Sequence, residues 1–158
     1  RLDTMTLCFA ADSALGTLAK WLRILGYDTV YDSHSPSKAI LEDPEGGRIL
    51  LTRTRKIQKK FSGHRTVFIT SNYLRDQLKQ VIDETGIDES DIRPFSRCVT
   101  CNLSITHVKK EEVYGRVPDY IWQTHKSFSQ CKKCRRIYWS GTHAVRSMER
   151  INQLFRGC

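Results

Sequence analysis

Two Cys-x-x-Cys turns constrain this chain more than any other feature: Cys98-Val-Thr-Cys101 and Cys131-Lys-Lys-Cys134, 29 residues apart. A turn of this kind sets two sulfurs on one side of an ion, and a second turn completes a tetrahedron. With four protein thiolates the shell is closed to water, so the expected role is structural, with one zinc per chain; a redox pair or an iron site is the alternative. Four thiolates around a divalent cation leave two excess negative charges, and Arg97, Lys132, Lys133, Arg135 and Arg136 are close enough in sequence to offset them. The gap between the turns exceeds the commonest ribbon spacing, so further structure is expected between them. The other two cysteines, Cys8 and Cys158, stand alone near the ends. The N-terminal residues lack the basic-then-apolar pattern of a secretory leader, and no run approaches the ~20 apolar residues of a membrane span. A cytoplasmic setting without membrane partners is therefore expected, and with it metal rather than disulfides.

Charge divides the chain unevenly. Residues 1–95 carry 14 basic and 13 acidic side chains, whereas residues 96–158 carry 12 and 4. A second concentration lies upstream: Arg48, Arg53, Arg55, Lys56, Lys59, Lys60 and Arg65 share an 18-residue window without a carboxylate. Clustered cations attract polyanions, nucleic acid first among them. A merely solvating basic face would be spread more evenly. Within the cationic third, Tyr120, Trp122, His125, Tyr138 and Trp139 supply ring faces on which unpaired bases can stack, although core packing is the commoner role for any single one.

The first ninety-odd residues alternate between two hydrophobic periods. Residues 6–11, 27–31, 48–52 and 66–70 are short apolar runs of strand length. Leu15, Leu18, Ala19, Leu22 and Leu25 recur at helical spacing before Gly26, and Leu74, Leu78, Val81 and Ile82 do so within residues 72–85. Shorter helices are expected over residues 36–43 and 53–61, with Asp12 and Ser13 capping the first helix. Such alternation implies an α/β domain with a four-stranded parallel sheet covered on both faces, because right-handed crossovers return each strand to the same sheet. Function in such a sheet belongs at the strand C-termini, which places Asp12, Asp32, Ser33, residues 52–54 and residues 70–72 there. Residues 88–94 read as a polar connector. The expected division is therefore an α/β domain over residues 1–95 and a zinc-ribbon module with a C-terminal helix over residues 96–158. In the module, residues 105–108 read as a strand and residues 117–122 as an irregular loop or short turn carrying aromatics. Phe128 and residues 137–139 suggest paired strands beside the metal. Residues 143–155 form a closing helix with Val145, Met148, Ile151, Leu154 and Phe155 on its apolar side.

Taken together, Phe9-Ala-Ala-Asp12, Leu18-Ala-Lys-Trp-Leu-Arg-Ile-Leu-Gly-Tyr-Asp28, Gly47-Arg-Ile-Leu-Leu-Thr-Arg53, Arg97-Cys-Val-Thr-Cys-Asn102, Val117-Pro, Phe128, Cys131-Lys-Lys-Cys134 and Tyr138-Trp-Ser-Gly-Thr-His143 resemble the Mut-seven C-terminal (Mut7-C) RNase domain family. The likeness spans nearly the whole chain with the motifs in order. It implies a PIN-like nuclease fold followed by a zinc ribbon, and RNA as substrate or partner. Members also occur joined to a separate exoribonuclease domain, which makes such an enzyme a candidate partner. In members expected to cut, carboxylates at the strand ends hold divalent metal. Asp12 matches the first of these. The acid that opens the second helix falls near residues 35–37, where this chain has none, and the aspartate that follows Thr-Arg after the third strand is Thr54.

Magnesium or manganese needs several oxygen ligands beside a phosphodiester, so one carboxylate is a poor site unless Asp32, Glu42 or Asp43 substitutes. Asp12 also has a purely structural reading as a helix cap, and Asp28 reads as ordering the turn after the first helix. The expected function is RNA binding, single-stranded by the stacking argument, through Arg53, Arg55, Lys56, Lys59, Lys60, Lys132, Lys133, Arg135, Arg136, Trp139 and His143. That interface would run from the basic window across to the ribbon and terminal helix. The competing expectations are a metal-dependent ribonuclease using Asp12 and a protein-interaction scaffold without RNA affinity.

Overall fold

Apolar runs flanked by helix-forming sequence can bury both faces only at the centre of a parallel sheet, and this is where the two most apolar runs lie. The computed structural model describes residues 7–31 and 47–156. Strands β1 (Cys8–Ala11), β2 (Asp28–Tyr31), β3 (Arg48–Thr52) and β4 (Thr66–Phe68) form a parallel sheet in the order β2-β1-β3-β4. The central pair, β1 and β3, is buried on both sides: Phe9, Ala10, Ala11, Leu50 and Leu51 are all inaccessible to solvent. The expected four-stranded parallel sheet with flanking helices is thus what the chain builds.

Alternation along the strands separates two cores, covered by helices α1 (Gly16–Ile24), α2 (Arg55–Lys60) and α3 (Leu74–Thr85). Phe9, Ala11, Ile49 and Leu51 face α1 and α3, whereas Ala10 and Leu50 face α2 through Ile57 and Phe61. The crossover from β1 to β2 therefore covers one face and that from β3 to β4 the other. Winding reverses between β1 and β3, and the crevice at such a reversal opens at the strand C-termini.

Helix α1 stops at Leu25-Gly26 for a steric reason. Gly26 has φ +99°, and a Cβ there would lie 2.5 Å from the Arg93 carbonyl. The close approach belongs to the connector, whose Arg93 and Phe95 amides donate to the carbonyls of Leu25 and Ile24. Residues 88–94 are therefore more than a polar linker: they contain a 3-10 turn (Glu89–Asp91), and Ile92 is buried in the sheet core.

Beyond it, β5 (Thr106–Val108), β6 (Phe128–Gln130) and β7 (Ile137–Tyr138) form an antiparallel sheet in chain order, with β6 and β7 flanking the second cysteine turn as expected. Residues 117–122, expected to be an irregular loop or short turn, lead into the short helix α4 (Asp119–Thr124). Pro118 sets its N-terminus, and Ile121 packs with Val113, Val117 and Phe128 in a small separate core. The closing helix α5 (Thr142–Phe155) leaves the ribbon and crosses to the first sheet, where Ile151 and Leu154 join the core of α1 and α3. Each of these side chains contributes about 1.5–3 kcal/mol by burial. Met148 and Phe155 pack beside them, but Val145 is 58% exposed, contrary to its expected place on the apolar side. Val145 belongs to neither the core of the sheet nor that of the ribbon. Among the described residues, no helix is long and apolar enough to cross a membrane.

Candidate metal centre and nucleic-acid interface

The two cysteine turns repeat one local geometry. In the first, Asn102 N–H donates to Cys98 O at 2.9 Å and Cys98 N–H to Leu103 O at 2.8 Å; in the second, Arg135 N–H donates to Cys131 O at 2.9 Å and Cys131 N–H to Arg136 O at 3.1 Å. The residue after each second cysteine is left-handed, Asn102 at φ +61° and Arg135 at φ +67°. That twist folds the turn back so that both sulfurs face inward. The Sγ atoms of Cys98, Cys101, Cys131 and Cys134 all lie within 4.8 Å of one another, and Cys98 Sγ to Cys134 Sγ is 3.7 Å. Sulfurs bound at about 2.3 Å to the centre of a tetrahedron stand about 3.8 Å apart, so the cluster fits one four-coordinate metal ion.

Protonation of the bare thiols would be in conflict. Burial raises the Cys98 pKa, but hydrogen bonds from the Tyr138 hydroxyl, at 3.1 Å, and from the backbone of Cys101 and Thr100 outweigh it and pull the thiol well below its usual range. Burial and the neighbouring sulfurs push Cys101 the other way. A divalent cation held by Cys98, Cys101, Cys131 and Cys134 would remove the conflict by stabilising all four as thiolates. Tyr138, one strand away from the cysteines, is a ligand-orienting donor that the spacing alone does not reveal.

The ribbon is tethered to the sheet through the first turn. Asn102 Nδ2 donates to Asp28 Oδ1 at 2.6 Å while its Oδ1 accepts from Thr29 N–H at 3.0 Å. Arg23 reaches from α1 to Val99 O at 2.7 Å. Asp28 does not serve the turn after α1, as its sequence position suggests. It forms a two-pronged ion pair with Arg48, at 2.9 and 3.1 Å, across the N-terminal edge of the sheet. Burial raises the Asp28 pKa, but the bonds from Arg48 and Asn102 prevail and hold it below the usual carboxylate value.

At the opposite edge, Asp12 follows β1 at the point where winding reverses. It is 1% exposed, and both oxygens are engaged: Oδ1 accepts from Ala14 N–H at 2.9 Å, Oδ2 from Thr52 Oγ1 at 2.5 Å and from Arg53 N–H at 3.0 Å. The expected helix cap is not formed, since α1 begins later, with Leu15 at its N-cap and no side-chain cap bond. Asp12 instead ties the end of β1 to the end of β3. Thr54 is the exposed N-cap of α2. Among the described residues, the four cysteines are the group of three or more potential ligands brought together, and Asp12 belongs to no such group. Asp32, Ser33, residues 35–37, Glu42, Asp43, Cys158 and the helix expected over residues 36–43 lie outside the described residues.

The basic residues fall in separate places. Arg55 stacks its guanidinium 3.8 Å from the centre of the Phe68 ring, and Lys56, Lys59 and Lys60 project from α2. Arg53 is half-buried beside Asp12. Lys132, Lys133, Arg135 and Arg136 are exposed on the second cysteine turn. Helices α2 and α5 pack on opposite sides of the sheet, so a strand that touched both would have to pass around an edge. Arg136, Trp139 and His143 converge on a single groove.

A parallel α/β domain whose N-terminal edge carries a four-cysteine ribbon able to hold a metal ion defines the class. The chain belongs to the Mut7-C RNAse domain family, whose model matches residues 7–151. No curated protein and no solved structure matches the chain.

Proposed function

We propose that this chain is an RNA-binding domain whose sheet no longer cleaves: a structural zinc ion organises the ribbon, and the ribbon's cations and rings hold single-stranded RNA. The observation that carries the reading is the state of Asp12, buried with both oxygens bonded by Ala14, Thr52 and Arg53, together with Thr54 where the family resemblance calls for an aspartate. A buried carboxylate that already accepts from three internal donors keeps about one of its four acceptor positions, and alone it is a poor site for magnesium or manganese, which require several oxygen ligands. The thiolate set favours zinc over hard cations, and its closed shell leaves no position for activated water. Neither α2 nor the second cysteine turn has salt-bridge partners for its lysines among the described residues, so their fields are available to phosphates.

The test is binding of a fluorescent single-stranded RNA over a range of salt, alongside incubation of that RNA with manganese. Affinity falling log-linearly with salt and no cleavage beyond that of an Asp12→Asn control support the proposal. Cleavage that the Asp12→Asn substitution abolishes would establish the ribonuclease reading that the family description favours. Absence of affinity near physiological salt would leave a protein-interaction role. A separate exoribonuclease, when added, is expected to act on the bound RNA.

A further inference from the structure

Helix α4, strand β7 and the first turn of α5 enclose an open groove of about 840 Å³. This is the size range of sites that take small organic ligands. Its rings come from Tyr120, Tyr138 and Trp139, its cation from Arg136, and its imidazoles from His125 and His143; no carboxylate lines it. Two features make it a built site. His125 ties the walls together, donating from Nε2 to the Ser140 carbonyl at 3.0 Å while its Nδ1 lies 3.1 Å from Ile121 O on α4. On the floor, Trp139 is half-buried edge-on against Phe128, with ring centres 6.5 Å apart, and Tyr138 is held by its bond to Cys98. Tyr120, by contrast, is 67% exposed, and its backbone carbonyl accepts from the Thr124 hydroxyl.

We propose that this groove receives one unpaired nucleotide of a single-stranded RNA, its base stacking on Tyr120 and Trp139 and its phosphate meeting Arg136 and His143. The assignment rests on the RNA-binding reading above and deepens it. An exposed ring and a half-buried one lining the same groove offer surfaces for a flat π-face, and every base has such a face. The absence of carboxylates and the presence of Arg136 and His143 suit an anionic backbone, whereas an acidic lining would repel it. A paired base cannot enter, because its faces are already covered by its neighbours in the helix. The metal ribbon thereby acts as more than a staple: through Tyr138 and the β7 strand it sets one wall of the slot.

The experiment measures binding of single-stranded and double-stranded RNA of equal length, with a single-stranded probe carrying the fluorescent base 2-aminopurine. Tyr120→Ala is expected to lower single-strand affinity about tenfold without changing the salt slope, and to abolish stacking-induced quenching of the probe. Arg136→Gln is expected to lower affinity and also to flatten the slope by about 0.7, the value of one phosphate on a single strand. Because Tyr120 is exposed, its truncation spares the fold, and unchanged zinc content checks this. If the wild-type protein binds RNA but Tyr120→Ala and Arg136→Gln bind as well as wild type, the groove assignment is overturned while the RNA-binding reading stands. If wild type binds neither RNA, both fall. Equal affinity of wild type for duplex and single strand would also overturn the slot.

Discussion

Asn102 and Asp28 meet across the junction of ribbon and sheet: the amide of Asn102 donates to the Asp28 carboxylate at 2.6 Å, and its carbonyl accepts from the next backbone amide, that of Thr29, at 3.0 Å. One side chain therefore satisfies a carboxylate and an edge-strand donor together. It does so from a left-handed backbone, φ +61°, which asparagine tolerates better than most residues. Asn102→Ala should destabilise the protein by about 2–3 kcal/mol, combining backbone strain with the loss of two hydrogen bonds, and Asn102→Gly should cost less because the strain is relieved. Chemical denaturation of the two variants against wild type checks the order.

The Asp28 carboxyl contributes a pH dependence of defined sign. Its folded pKa lies below the unfolded value, so between the two the unfolded chain binds more protons and stability rises with pH. The contribution is complete above the unfolded value of about 4 and is lost as pH falls through the folded one. Asp28→Asn should therefore lower stability near neutral pH and reduce the acid-induced loss expected of wild type below about pH 4. Urea unfolding measured from pH 3 to 7 decides this, and parallel curves for the two proteins would count against the junction as drawn.

Metal removal should act on part of the molecule. One zinc per chain is expected by elemental analysis, and a strong chelator should raise amide exchange over residues 97–142. The sheet should be spared, as should the second half of α5, because Ile151 and Leu154 sit in the core of α1 and α3 rather than in the ribbon. A metal-free protein with Cys98 bridged to Cys131 would contradict this.

Asp12 should behave as a structural residue. Asp12→Ala strands the Thr52 hydroxyl and two backbone amides in a buried site and should cost about 3 kcal/mol, whereas RNA affinity measured on folded protein should change by less than about twofold. Thr54→Asp should raise stability by about 0.5–1 kcal/mol, since α2 has no side-chain cap bond and no acid in its first turn, yet should yield no manganese-dependent cleavage. Thermal melts and a nuclease assay separate the two effects.

Neutralising Lys132, Lys133, Arg135 and Arg136 together to glutamine should weaken RNA binding and flatten its salt dependence, by about 0.7 in slope for each phosphate that the protein no longer neutralises. The same change at Lys56, Lys59 and Lys60 measures the contribution of the opposite face of the sheet. A larger effect from α2 than from the cysteine turn would move the principal interface there.

Local patterns in the sequence were enough for the four strands, the helices α1, α3 and α5, and the sulfur tetrahedron. Each is encoded within a few residues by a hydrophobic period, a glycine stop or a Cys-x-x-Cys spacing, and the two sulfur pairs need only meet. Helix α4 escaped because a single turn and a half, packed through the adjacent Ile121 and Trp122, has too few apolar positions to show a period. What Asp12 does was decided 40 residues away by Thr52, and what Asp28 does was decided by Arg48 and by Asn102, 74 residues away. The side on which α5 docks and the groove at its start were likewise decided in three dimensions. Hydrogen bonds and shape complementarity between distant segments leave no periodic trace in the chain, and so only the tertiary structure shows that the sheet's acid is occupied while the ribbon's groove stands open.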